Sequence, residues 1–420
     1  MKKQNLYIKK NNLNFFLEKI PSYLIILLPV LLVSGSFLPD LAITVCCICF
    51  LLISFKKKNF FYFKNNFFIF FIIFYIYLLI SSLLSSNILF SLHSSLFFFR
   101  VILFSLCVWY LLDINEYFIL KRLFYVLVFV LIFLSIDGTY QLIYKKNIFG
   151  LKLINDRVSS FFGDELIMGS FVSRIFPIFV GLFYYLKNKK NNLIFSEYFY
   201  LIITILSGYL VLISGERASL FFYILSIFFL SLMNLFRIKY LIIIITTLTI
   251  FFSFHNTTFN RMFNNTLEQI VLENKRVTFF SSVHEAHYLS AYKIFKDNII
   301  LGAGPRNFRF FCNDNKYLIS KYSCTTHPHN TYIQILAETG LIGFFFICFI
   351  FFHILRESIK VFFLKHKNKF RKFYISILAM ILITLWPLVP SGNFFHNWLL
   401  VIYFLPAGFY LWLKDKLNKV

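Results

Sequence analysis

The sequence predicts an all-α membrane protein with about twelve transmembrane helices and one large loop, carrying short helices, between the ninth and tenth. Three observations carry this. The 420 residues are 59% hydrophobic with a mean hydropathy of +0.74, more apolar than a soluble chain of this length. The apolar residues fall in runs of roughly twenty, enough to cross a bilayer as helix. The basic residues collect in every second connector.

The runs lie at 20–37, 38–55, 66–84, 94–112, 123–143, 168–186, 197–214, 218–236, 238–254, 338–356, 373–389 and 396–413. Lipid offers backbone groups no hydrogen-bond partner, so runs of this length form helices, and short connectors make neighbours antiparallel. The 61 Phe fit the composition of an AT-rich genome, so a single Phe means little. The N-terminus is basic and then apolar from Ile20, like a signal peptide, but Ser34–Ser36 offers no small-x-small cleavage site. A retained first helix is expected. No repeat or Pro/Gly-rich linker divides the chain, so 1–420 is read as a single polytopic domain.

A net charge of +24 raises the question of nucleic acid. The alternate connectors containing Lys56–Lys58, Lys121/Arg122, Lys187, Arg237, Arg356–Lys372 and the two termini hold 26 of the 42 Lys and Arg. The charge is therefore a topology signal that puts both termini in the cytoplasm, and no nucleic-acid partner is expected. Two connectors on the opposite side are long, 144–167 and 255–337, and the second holds nine Lys/Arg and five of the nine His. Cations placed against the positive-inside bias point to a local role. Cys46, Cys47, Cys49, Cys107 and Cys348 lie in spans, whereas Cys312 and Cys324 share the large loop, where an oxidising compartment permits a disulfide.

Four motifs carry the chemistry. His327-Pro328-His329-Asn330 stands at the mouth of the tenth span, followed by Gly340 and Gly343. Pro328 suits the first turn of a helix, whose positive end would keep His329 neutral, as a general base must be. Ser214-Gly215-Glu216-Arg217 opens the eighth span, where an arginine can grip phosphate oxygens bidentately. Phe295 to Pro305 contains Gly302-Ala303-Gly304, without the strand-turn-helix context of a nucleotide site. Asp156-Arg157 and Phe162-Gly163-Asp164-Glu165 precede the sixth span, where Asp164 could orient a hydroxyl or simply cap the loop. His284-Glu285-Ala286-His287 is one residue short of the His-Glu-x-x-His zinc motif, and an Asp-x-Asp site is absent, so no metal is expected.

The His-Asn, nine-residue gap, Gly-x-x-Gly spacing resembles the signature of the bacterial O-antigen ligase and polymerase superfamily, and 200–345 resembles its ligase-like region. The Ser-Gly-x-Arg element is similar to the family's, as is the Phe-x-Asp stretch, with Ile299 in place of the usual proline. The resemblance implies a glycosyltransferase in the inner membrane with a periplasmic site, serving lipopolysaccharide biosynthesis without cofactor. Its donor would be an undecaprenyl-pyrophosphate-linked glycan and its acceptor lipid A-core or another glycan, with inversion and no metal. His329 would be the base, and Arg217 with Arg276 would hold the pyrophosphate. His327, Asn330, Asp164, His284 and Arg309 would support them. A ligase is favoured, with an O-antigen polymerase as the alternative and a lipid-linked glycan transporter as a reading of another class. A transporter would place ionisable residues at mid-membrane and repeat its halves, whereas here the polar groups gather at the outer mouth and charges within the spans, such as Arg100 and Arg174, are few.

Overall fold

The computed structural model describes residues 2–187, 196–254, 259–264, 280–363 and 369–419. Among them there is no strand, only the isolated bridges Lys146–Lys152 and Ile154–Arg157. The helices are α1 (Lys2–Val33), α2 (Phe37–Lys57), α3 (Asn66–Leu83), α4 (Ile88–Ser95), α5 (Phe99–Tyr144), α6 (Met168–Lys187), α7 (Glu197–Ile213), α8 (Arg217–Leu232), α9 (Ile238–Phe254), α10 (Ser282–Asp297), α11 (Thr331–Phe363), α12 (Lys369–Thr384) and α13 (Asn397–Asn418), with a single turn at Phe308–Phe311. Six helical stretches among the described residues are long and apolar enough to cross a membrane: Phe15–Val33, α2, α3, Ile88–Tyr144, α6 and α11. Shorter apolar helices occupy Glu197–Ile213, Arg217–Leu232 and Ile238–Ile250.

Helix α6 is the hub, packing against α7, α8 and above all α12. Gly181 makes the last contact possible, since a Cβ there would lie 2.3 Å from Cδ2 of Phe373. Its faces bury Phe171, Phe176, Phe179 and Phe183.

The expected connector around Lys121/Arg122 proves helical. Helix α5 runs from Phe99 to Tyr144, interrupted only at Asn115 (φ −148°, ψ 61°). The interruption is polar: Tyr62 donates to Asp113, Lys416 pairs with Asp113 at 3.1 Å, and Tyr185 donates to Glu116 at 2.6 Å. Lys57–Glu18, Lys187–Glu197 and Lys414–Glu357 are further ion pairs at the base-rich connectors. The remaining connectors meet at the opposite end, where Arg157 donates to the Ser214 carbonyl at 3.0 Å and Ser391 donates to the His329 carbonyl at 2.9 Å.

Candidate active site

His329 stands just before α11 with a left-handed backbone, φ +54°. Asn330 caps the helix: its Oδ1 accepts from the amides of Tyr332 at 3.0 Å and Ile333 at 3.1 Å. Its Nδ2 donates to the Pro387 carbonyl at 2.8 Å. The expectation that Pro328 opens the helix is thereby corrected, because an asparagine satisfies first-turn amides that a proline merely tolerates. The Thr331 amide donates to Ser391 Oγ at 2.8 Å, so the segment 385–396 clamps His329 from the far side.

The two glycine motifs form one joint. Gly340 breaks α11 (φ +62°, ψ −165°), a conformation essentially reserved for glycine. The 299–305 stretch fills the break, with the Leu341 amide donating to the Ile299 carbonyl at 2.8 Å and the Gly304 amide to the Glu338 carbonyl at 2.8 Å. A Cβ on Gly302 would lie 2.3 Å from the Glu338 carbonyl carbon, and one on Gly340 2.3 Å from the Ile300 oxygen. These glycines therefore position the helix that presents His329. They touch no ligand site.

Four histidines gather there. The His329 ring centroid is 4.3 Å from that of His327, 5.3 Å from His287 and 5.7 Å from His284. Burial first, then the neighbouring His287 and His284, lower the His329 pKa to about 4. Burial first, then His329, lower that of His327 to about 3. Both imidazoles are thus neutral near pH 7. Helix α10 supplies His284 and His287 one turn apart, its N-terminus capped by Ser281 Oγ, which accepts from the His284 amide at 3.4 Å. His287 is only 2% exposed. Among the described residues no group of three or more His, Cys, Asp or Glu has the geometry to hold a metal ion.

Three arginines meet around Gly215. Arg217 donates to the Arg261 carbonyl at 3.0 and 3.2 Å, and Arg261 to the Gly215 carbonyl at 3.1 Å. Arg157 donates to the carbonyls of Ser214 and Leu166. Among the described residues no carboxylate lies within 4 Å of Arg157 or Arg261. Glu216, next to Arg217 in sequence, is committed elsewhere: it accepts from the amides of Gly169 at 2.7 Å and Ser170 at 3.1 Å and from Ser219 Oγ at 2.8 Å.

One cavity of 1420 Å³ joins both groups; Arg157, Arg217 and Arg261 line it together with His284, His327, His329, Arg306 and Arg309. Of the expected site residues, Arg217, His284, His327, His329 and Arg309 line this one cavity. Asn330 supports from behind as a cap. Asp164 is exposed and does not line the cavity, whereas its neighbour Glu165 does. Arg276 lies outside the described residues. Arg157, Arg261 and His287 were not among the expected site residues; the Asp156-Arg157 motif hinted at the first and the excess of outward cations in 255–337 at the second.

Residues 202–348 match the model of a family described as O-antigen ligase. The match encloses Arg217, Arg261, both glycine motifs and all four clustered histidines, and leaves out Arg157 and the 385–396 clamp. No curated protein matches the chain.

Proposed function

We propose that this O-antigen ligase-like enzyme moves a glycan from undecaprenyl pyrophosphate to lipid A-core at the periplasmic face of the inner membrane. The twelve-span topology, both termini cytoplasmic, belongs to this reading. The observation that carries it is the shared cavity, whose wall holds a neutral histidine together with Arg157, Arg217 and Arg261.

The acceptor hydroxyl oxygen attacks the anomeric carbon as the bond to the pyrophosphate oxygen breaks on the opposite face, inverting that centre. His329 takes the hydroxyl proton. Arg217, Arg261 and Arg157 neutralise the charge growing on the leaving pyrophosphate. Arg276 is proposed to join them from the part of the loop not described. His327, His284 and Arg309 shape and charge the wall, and no metal or nucleotide is needed because the pyrophosphate already activates the donor. The Cys312–Cys324 disulfide supports an oxidising location for this loop.

Deletion of the gene, with lipopolysaccharide run on a stained gel and complementation by wild type or His329→Ala, tests the reading. Bare core with accumulating lipid-linked polymer is expected. Core bearing a single repeat would indicate a polymerase, and full rescue by His329→Ala would remove the base assignment.

A further inference from the structure

A separate cavity of 590 Å³ lies between α3, α11, α12 and α13 and shares no lining residue with the histidine cavity. Its two ends differ. Toward the histidines it is closed by Ile335, Phe394 and Tyr403, whose hydroxyl is 3.2 Å from Thr331 Oγ1 at the start of α11. At the end of the base-rich connectors it is lined by Asn66, Arg356, Lys414 and Asp415. Between Tyr403 and Lys414 α13 rises about 16 Å, roughly half the hydrocarbon thickness of a bilayer. The cavity therefore spans one leaflet. Phe349 lines it and is also 58% exposed, so the wall opens sideways between α3 and α11, where Phe70 stacks on Phe349 with centroids 5.1 Å apart.

The polar end is short of negative charge. Among the described residues no carboxylate lies within 4 Å of Arg356. Lys414 shares Glu357 with Lys360, at 3.6 and 3.5 Å, and Asp415 is paired with Lys419 at 2.6 Å. Helix α3 begins here, capped by Asn65 Oδ1, which accepts from the Phe68 amide at 2.9 Å, and its first turn adds the positive end of a helix dipole. Trp109 lines the same cavity, is 6% exposed, and its Nε1–H has no hydrogen-bond partner among the described residues. A buried N–H left without an acceptor is costly, so an oxygen brought by a ligand is called for. Hydrocarbon walls, cations at one end and an unmet donor describe a lipid with an anionic phosphate head. A carrier whose pyrophosphate sits beside Arg217 has its head at the opposite end of the bundle and does not fit this polarity.

We infer that this cavity holds an acyl chain of an anionic phospholipid from the leaflet on the base-rich side, with its phosphate between Arg356, Lys414 and the start of α3 and an ester oxygen on Trp109 Nε1. Tyr403 closes the cavity and touches Thr331, so the bound chain braces the start of the helix that presents His329. The inference goes beyond the glycosyl-transfer reading and does not depend on it.

The test titrates full-length protein, stripped of lipid in detergent, with phosphatidylglycerol, read by native mass spectrometry and a fluorescence melt. One retained phosphatidylglycerol per chain and a raised melting temperature are expected. Phosphatidylcholine should bind about tenfold more weakly, and undecaprenyl pyrophosphate should not displace the phospholipid. Ala407→Phe fills the cavity from α13 and should abolish the lipid-dependent rise, while the lipid-free variant melts no lower than wild type. Arg356 is exposed, so Arg356→Gln leaves the fold intact and should weaken binding by about tenfold, the loss of one charge-assisted hydrogen bond. Equal binding of phosphatidylcholine, displacement by undecaprenyl pyrophosphate, or undiminished binding in both variants would overturn the inference.

Discussion

Asn330 donates to the Pro387 carbonyl at 2.8 Å while its own Oδ1 holds the first amides of α11. One side chain thus sets both the start of the helix and its distance from the 385–396 segment, and His329 is fixed between the two.

Asn330→Ala should remove the cap and the tether together. Loss of an N-cap costs about 1 kcal/mol, so a lower melting temperature is expected, with a larger fall in transfer rate as His329 loosens. Asn330→Asp keeps the capping oxygen and loses only the donor to Pro387. It should recover most of the thermal stability in a fluorescence melt while still transferring slowly.

The histidines make a pH statement. In the unfolded chain His329 and His327 take up protons near their ordinary pKa of 6.5, whereas in the fold they do so only near about 4 and about 3. Between those values the unfolded chain binds more protons. Stability is therefore complete above pH 6.5 and falls as pH drops from there toward 4 and then 3. Transfer, which needs neutral His329, should stay level from pH 7 to about 5. An anionic donor bound beside the ring would raise its proton affinity and shift the acid limb upward at saturation. A midpoint at 6.5 in both kcat and kcat/KM would contradict the buried environment of the ring.

Gly302→Ala and Gly340→Ala each drive a methyl group to within 2.3 Å of backbone at positive φ. Strain of this kind costs about 1–3 kcal/mol before the clash is added, so both variants should lose monodisperse protein in size-exclusion chromatography. Gly392→Ala serves as the control. The nearest atom to its Cβ would be Cδ2 of Leu399 at 3.7 Å, and normal yield is expected.

Much of this was legible in the sequence because bilayer physics is simple. Runs of apolar residues and alternating basic connectors gave the helical bundle, and Ser214–Arg217 and His327–Asn330 marked the cavity from two distant places in the chain. The Asn115 interruption falls in the connector expected between 112 and 123, where Asp113, Asn115 and Glu116 mark it, but helix resumes at once and shortens the connector to a break. The joint between the two glycine motifs was not legible because sequence does not tell which backbone a glycine lets approach. Arg157 and Arg261 belong to loops whose folding back over Gly215 depends on carbonyl contacts that no local pattern encodes.

The arginines should not tolerate lysine. Arg217→Lys and Arg261→Lys keep a positive charge but lose the forked donors that reach backbone and phosphate together. Loss of one such donor set costs roughly 10²–10³ in rate. Each variant should bind polyisoprenyl pyrophosphate less tightly in a competition assay. Wild-type affinity in both would remove these residues from the donor site.

The central claim is that His329 acts as base on an acceptor while arginines hold the donor. The most direct measurement is single-turnover transfer by purified protein with saturating lipid-linked donor and lipid A-core, comparing wild type with His329→Ala and His329→Gln. A fall in rate of at least 10²-fold, with donor affinity within about twofold of wild type, is expected. Unchanged turnover in either variant, or a loss confined to donor affinity, would contradict the account.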